Sequence, residues 1–202
     1  RPSATTAAHV LEDLDGRIDM VLDGGPAQIG LESTVLDLSG AVPTVLRPGG
    51  VTVDALREFI PELQVAPKYL DADTNSSAPG QTLKHYSPRA RVLLFSGGDG
   101  QQNLAALRNR AESLREEGQR VAALVYDEDR DALPAETLFT PLALRGDQEA
   151  VGRRLFAALR ELDEAGADVI LVADFGREGL GSALWDRLLR AAEGHVIAVQ
   201  PG

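Results

Sequence analysis

The chain has 202 residues, 44% of them apolar, enough for one large domain or two small ones, each with its own core. It contains no cysteine, which excludes disulfides and cysteine-ligated metals, and no apolar run approaches the roughly 20 residues that cross a membrane, so the cytoplasm is the default location. The net charge of -11 is shared: residues 1–90 carry seven Lys/Arg against twelve Asp/Glu, and residues 91–202 thirteen against nineteen. Such a surface repels a phosphate backbone, and direct nucleic-acid binding is not expected.

Arg1 is not a usual first residue, and "RPSATTAAHV" reads as chain already under way. The expectation is a fragment whose N-terminal part lies upstream. From Ser3, "SATTAAHVLEDLDG" predicts a helix capped by Ser3 or Thr5, with Ala7, Val10, Leu11 and Leu14 on one side and Gly16 at its end. "IDMVLDGG" predicts a short strand, and "STVLDLSG" and "VPTVLRPGG" a hairpin or neighbouring strands. Thr52 is expected to cap a further helix, "VDALREFI", stopped by Pro61.

Residues 66–90 show no periodicity and are rich in proline, which places a linker there between residues 1–65 and residues 91–202. After it, "RVLLF", "RVAALVY", "ETLFTPLAL" and "ADVILVADF" read as strands, with "HVIAV" a last short one. Gln102–Glu117, Glu149–Ala165 and Ala183–Ala192 read as helices. The alternation predicts a parallel, doubly wound α/β sheet.

Several stretches carry possible chemistry. "GLESTV" sets a carboxylate and two hydroxyls at the mouth of a strand, with Ser33 and Thr34 on opposite faces. Ser33 would bind a polar small molecule through its hydroxyl, although edge-strand polarity explains the same six residues. In "LRPGG", Arg47 ends an apolar strand beside a tight turn, where a guanidinium grips phosphate or carboxylate with two parallel bonds. "SSAPGQTLKHYSP" looks like a disposable connector, yet Lys84, His85 and Tyr86 give it a point charge, a ring nitrogen and a stacking face. "FSGGDGQQN" after a strand has the look of a phosphate loop but matches neither nucleotide fingerprint, so a plain strand-to-helix turn is expected. Asp174-Phe175-Gly176 lacks every companion of a kinase magnesium triad.

Taken in order, "RPSATTAAHV", "DGGPAQIGLESTVLDL", "VLRPGG", "SSAPGQTLKHYSP" and "GLGSALWDRLLRAA" resemble the two-domain threonylcarbamoyl-AMP synthases. The resemblance covers nearly the whole chain. It implies the C-terminal part of a YrdC-type α/β domain (1–65), an interdomain linker that acts as a lid (66–90), and a small Rossmann-like domain (91–202). It also implies a nucleotidyltransferase activity: L-threonine, bicarbonate and ATP, the latter with Mg2+, give threonylcarbamoyl-AMP and pyrophosphate. The product then passes to downstream proteins that modify tRNA to threonylcarbamoyladenosine. By motif, Ser3, Arg47 and His85 or Tyr86 are expected at ATP, Ser33 at threonine, and Lys84 as a possible lid contact. The lysine- and arginine-bearing opening of the family, with its Ser-Ala-Asn motif, has no counterpart here, so this chain alone is not expected to make the adenylate. The alternative reading is a non-catalytic module that senses a nucleotide or docks a partner.

Overall fold

The computed structural model describes residues 1–66 and 87–200. Lys84, His85 and Tyr86 lie outside the described residues, as does most of the expected linker. Two separate sheets form, one of three strands and one of five.

In the first part, α1 spans Ala7–Leu14. Its cap is Thr6, whose hydroxyl accepts from the His9 amide at 3.3 Å, and not Ser3 or Thr5. Gly16 follows with φ +71°, a left-handed turn that suits glycine. The strand expected in "IDMVLDGG" is absent. Residues 18–25 carry no regular structure, and Met20 and Leu22 stand 75% and 89% exposed. A strand needs a neighbour for its ladder, and among the described residues none lies beside this segment. β1 (Val35–Asp37) and β2 (Thr44–Arg47) do form the expected antiparallel pair, with a register shift between Val35 and Leu36. Thr52 caps a short α2 (Val53–Arg57), and β3 (Gln64–Val65), which the sequence did not signal, pairs parallel with β2.

The second part is the all-parallel sheet that the strand–helix alternation predicts. β4 (Arg91–Ser96), β5 (Val121–Leu124), β6 (Leu138–Phe139), β7 (Val169–Ala173) and β8 (Val196–Ala198) lie in the order β6-β5-β7-β4-β8. β6 is only two residues long where a longer strand was expected. Pro141 has no amide hydrogen to continue the ladder, and the Leu142 amide donates instead to Asp127 Oδ1 at 2.7 Å. Side-chain alternation splits the core in two. Val92, Leu94, Ala122, Leu124, Ile170 and Val172 face one side of the sheet, and Leu93, Phe95, Val121, Ala123, Val169 and Leu171 the other. α4 (Gln148–Glu164) and α5 (Gly181–Ala191) cover the first face through Leu155, Phe156, Leu159, Leu184 and Leu188. α3 (Gly100–Glu116) covers the second through Leu107, Ala111 and Leu114. Both faces being covered explains why the strands read as unbroken apolar runs. Each Val, Leu, Ile or Phe among them contributes about 1.5–3 kcal/mol by leaving water.

The turn into α3 is a plain one. Asp99 accepts from the Gln102 amide at 2.8 Å while the Gln102 side chain accepts from the Asp99 amide, a reciprocal cap that fills the helix start with a carboxylate. Asp174 has a structural partner set: it accepts from Ser96 at 2.6 Å and from Arg177 Nε at 3.1 Å, tying the ends of β4 and β7.

The first part docks on α4 and α5. Gly30 adopts φ +74°, and a Cβ there would overlap the backbone of Gly152 and Arg153 in α4, so only glycine permits this approach. Leu31 packs beside it on the α4/α5 core. Two buried arginines fasten the contact. Arg160 of α4 donates to the Pro2 carbonyl at 2.6 and 3.1 Å and pairs with Glu12 and Asp13. Arg187 of α5 reaches Glu32 and the Pro48 carbonyl.

Candidate functional site

Ser33 ends the segment that leads into β1, and Arg47 is the last residue of β2, directly opposite Val35. The pairing of the two strands therefore delivers both residues to one place. A terminal nitrogen of Arg47 donates to the Ser33 carbonyl at 3.0 Å and lies 3.5 Å from the Ser33 hydroxyl oxygen. Ser33 is exposed and Arg47 half-buried, so the pair faces solvent while its base is fixed. Thr34 points elsewhere: its hydroxyl donates to the Val51 carbonyl at 2.6 Å and accepts from the Val51 amide at 3.2 Å. The opposite faces expected of Ser33 and Thr34 thus have different duties.

The Pro-Gly-Gly turn after Arg47 closes against the same segment. The Gly50 amide donates to the Glu32 carbonyl at 3.2 Å, and a Cβ on Gly49 would overlap the backbone of Glu32 and Thr34. Glycine is required at 49 because two backbones meet there.

Ser3 completes the group. Its hydroxyl donates to Glu32 Oε1 at 2.6 Å, and Glu32 Oε2 accepts from Arg187 Nε at 2.5 Å. Glu32 is therefore held at both oxygens, one from each part of the chain. Burial pushes its carboxyl up, but the Arg187 charge and the bonds from Ser3 and Arg187 outweigh this, and its pKa falls below the ordinary carboxylate value. Asp13 is lowered as well, chiefly by its hydrogen bond from Arg160.

Both carboxyls bind protons more weakly in the folded chain than in the unfolded one. The stability they supply is complete above about pH 5 and is lost as pH falls through their depressed folded values. The urea midpoint of the chain is therefore expected to drop between about pH 5 and pH 3, and Glu32→Gln to flatten that drop. An equal acid sensitivity in the variant would remove Glu32 from the explanation.

Ser33 and Arg47 thus meet directly, and Ser3 is joined to them through Glu32, the residue before Ser33. Sequence reasoning noted the Glu32 carboxylate but gave it no partner, and it missed Arg187, which meets Glu32 from 155 residues away. It also missed the support behind Arg187. Asp186 accepts from Arg187 at 2.6 Å and from two nitrogens of Arg190 at 3.0 Å, all three side chains being buried. The available signal was charge at three positions of an otherwise apolar helix, Trp-Asp-Arg-Leu-Leu-Arg, with Asp186 and Arg190 one turn apart. Among the described residues no three His, Asp or Glu side chains stand together in a way that would hold a metal ion.

A family model described as "Threonylcarbamoyl-AMP synthase, C-terminal domain" matches residues 51–193. The chain belongs to the threonylcarbamoyl-AMP synthase family. A second model, described as "Telomere recombination", matches residues 1–49. The threonylcarbamoyl-AMP synthase of Pyrococcus abyssi is 35% identical, over 98% of this chain and 56% of its own length, and that of Bacillus subtilis 34%, over 98% and 55%. The chain spans about half the length of these curated relatives. Among solved structures, that of P. abyssi Sua5 complexed with L-threonine superposes with a TM-score of 0.87 at 35% identity, covering 99% of this chain and 57% of that one. A variant of the same protein, with a histidine and the tyrosine after it changed to alanine, superposes at 0.88 with 33% identity, over 99% and 56%. No helix among the described residues is long and apolar enough to cross a membrane.

Proposed function

We propose that this chain supplies the threonine- and ATP-binding wall of an L-threonylcarbamoyladenylate synthase. The reaction joins L-threonine, bicarbonate and ATP, and yields threonylcarbamoyl-AMP and pyrophosphate for the threonylcarbamoyladenosine modification of tRNA. The observation that carries the reading is the convergence of Ser33 and Arg47, 3.0 Å from guanidinium to Ser33 carbonyl, beside Ser3 and a neutralised Glu32. A relative solved with L-threonine, similar over 99% of this chain, supports threonine as the small-molecule partner.

The chemistry needs positioning more than a covalent nucleophile. The threonine amine takes up bicarbonate as an N-carbamate with loss of water. An oxygen of that N-carboxylate then attacks the α-phosphorus of ATP, the bond from that phosphorus to the oxygen bridging to the β-phosphate breaks, and pyrophosphate leaves. Two anions must meet, so a fixed cation and hydroxyls that orient them carry the catalysis. Arg47 supplies the cation for the phosphates. Ser33 accepts weakly from Arg47 and keeps its own proton to donate to the threonine carboxylate. Ser3 has its single proton committed to Glu32, so it meets ATP as an acceptor, suited to a ribose hydroxyl or the adenine amino group rather than a phosphate. Magnesium enters with ATP as part of the substrate. The only adjacent His-Tyr in this chain is His85-Tyr86, which this reading assigns to the nucleotide.

Calorimetric titration of L-threonine tests the reading. Ser33→Ala is expected to weaken threonine by about tenfold through loss of one hydrogen bond to a charged group. Equal affinity in the two proteins would remove Ser33 from the site. Silence of the unaltered chain toward both threonine and ATP would favour the partner-docking module instead.

A further inference from the structure

Arg187 belongs to the second part of the chain, on a helix that covers its sheet, yet its side chain works in the first part. It is fully buried, and its three nitrogens point to three different acceptors. Nε donates to Glu32 at 2.5 Å, one terminal nitrogen to Asp186 at 2.6 Å, and the other to the Pro48 carbonyl at 3.1 Å. Glu32 precedes Ser33 and holds Ser3, while Pro48 follows Arg47. One guanidinium therefore bonds the residue before Ser33 and the residue after Arg47 at once, and through Glu32 it is linked to Ser3.

The charge arithmetic gives this contact a purpose. An ionised carboxylate next to a site for a triphosphate would repel it. Like charges repel more strongly where they are partly shielded from water. Arg187 cancels the Glu32 charge, and Asp186 shared with Arg190 keeps Arg187 from adding a surplus of its own.

We infer that Arg187 is a positioning residue for the anionic substrate: it neutralises Glu32 behind the wall that carries Ser33 and Arg47, so that α5 of the second part licenses the site in the first. The inference rests on the reading of this wall as an ATP site. It gives the second part a role in binding that fold alone does not.

The experiment is calorimetric titration of ATP and, separately, of L-threonine into the unaltered chain, Arg187→Met, Arg187→Lys and the double variant Arg187→Met/Glu32→Gln. Methionine leaves Glu32 charged and uncompensated, so ATP is expected to bind about tenfold more weakly, with zwitterionic threonine changed less than threefold. The double variant removes both charges at nearly constant shape and is expected to recover most of the ATP affinity. A merely structural role predicts the opposite pattern, with both ligands lost together and no recovery. Arg187→Lys keeps the charge and stands in where the methionine variant does not fold; it is expected to stay within about threefold for ATP, and a tenfold loss in a folded lysine variant overturns the inference. So does an ATP affinity in Arg187→Met equal to that of the unaltered chain. An unaltered chain that binds ATP while the variants match it sinks this inference alone, whereas one that takes up no ATP sinks the ATP-site reading and the inference with it.

Discussion

Replacing Asp186 by alanine is expected to lower the unfolding free energy by about 3–5 kcal/mol, the largest stability effect of any single side chain in this account. Asp186 is 3% exposed and is the shared counter-ion of two arginines that are themselves buried. Its removal takes away the carboxylate that Arg187 and Arg190, one turn apart on α5, share, and leaves Arg187 to Glu32 and the Pro48 carbonyl. Such a loss exceeds that of an ordinary surface pair, worth about 0–1 kcal/mol, because neither cation reaches water. Asp186→Asn should cost less, since one acceptor oxygen remains. Urea unfolding measures both: the midpoint should fall for each variant with an unchanged slope, and more for alanine. A shift below about 1 kcal/mol in Asp186→Ala would mean that the two arginines find other partners. The consequence would also reach the site, because Arg187 released from Asp186 no longer holds Glu32 and Pro48 in place.

The second large effect falls on binding. Arg47→Ala is expected to weaken ATP by about 100-fold, the equivalent of roughly 2.7 kcal/mol for losing a charge-assisted contact to phosphate. Threonine should suffer less, by the loosening of the Ser33 carbonyl that Arg47 holds at 3.0 Å. Arg47→Lys should restore part of the ATP affinity, since a point charge replaces the fork without its two-bond geometry. Titration of ATP in the presence of threonine and bicarbonate reads the effect. Equal heats in Arg47→Ala and the unaltered chain would show that the guanidinium serves the fold alone.

What was legible in the sequence is what local pattern encodes. The parallel sheet of residues 91–198 was announced by apolar runs of four to six residues alternating with helices, and β1 with β2 by two β-branched runs around Ser39-Gly40. That Arg47 meets Ser33 follows from the pairing of those two runs, which sets Arg47 opposite Val35. Residues 18–25 misled. "IDMVLDGG" has the composition of a strand, but composition does not supply a partner for the ladder. Ser3 illustrates competition between local and distant bonds: its hydroxyl could have capped α1, yet Thr6 takes that duty and Ser3 reaches Glu32, 29 residues away.

The brace behind the site was beyond any pattern. Arg187 and Glu32 meet across 155 residues, and neither helical period nor strand alternation refers to such a distance. The residues themselves carried a hint. An aspartate and two arginines on a helix whose side chains from Ala183 on are otherwise apolar must be paired with something once that helix is buried. Burial turned three apparent surface charges into the joint between the two parts.

The most direct test of the whole account is diffraction from crystals of this chain soaked with L-threonine and ATP. The account predicts ligand density within hydrogen-bond reach of the Ser33 hydroxyl and the Arg47 guanidinium, with Glu32 still held between Ser3 and Arg187. Ligand bound on the five-stranded sheet instead, with Ser33 and Arg47 open to water alone, would contradict it.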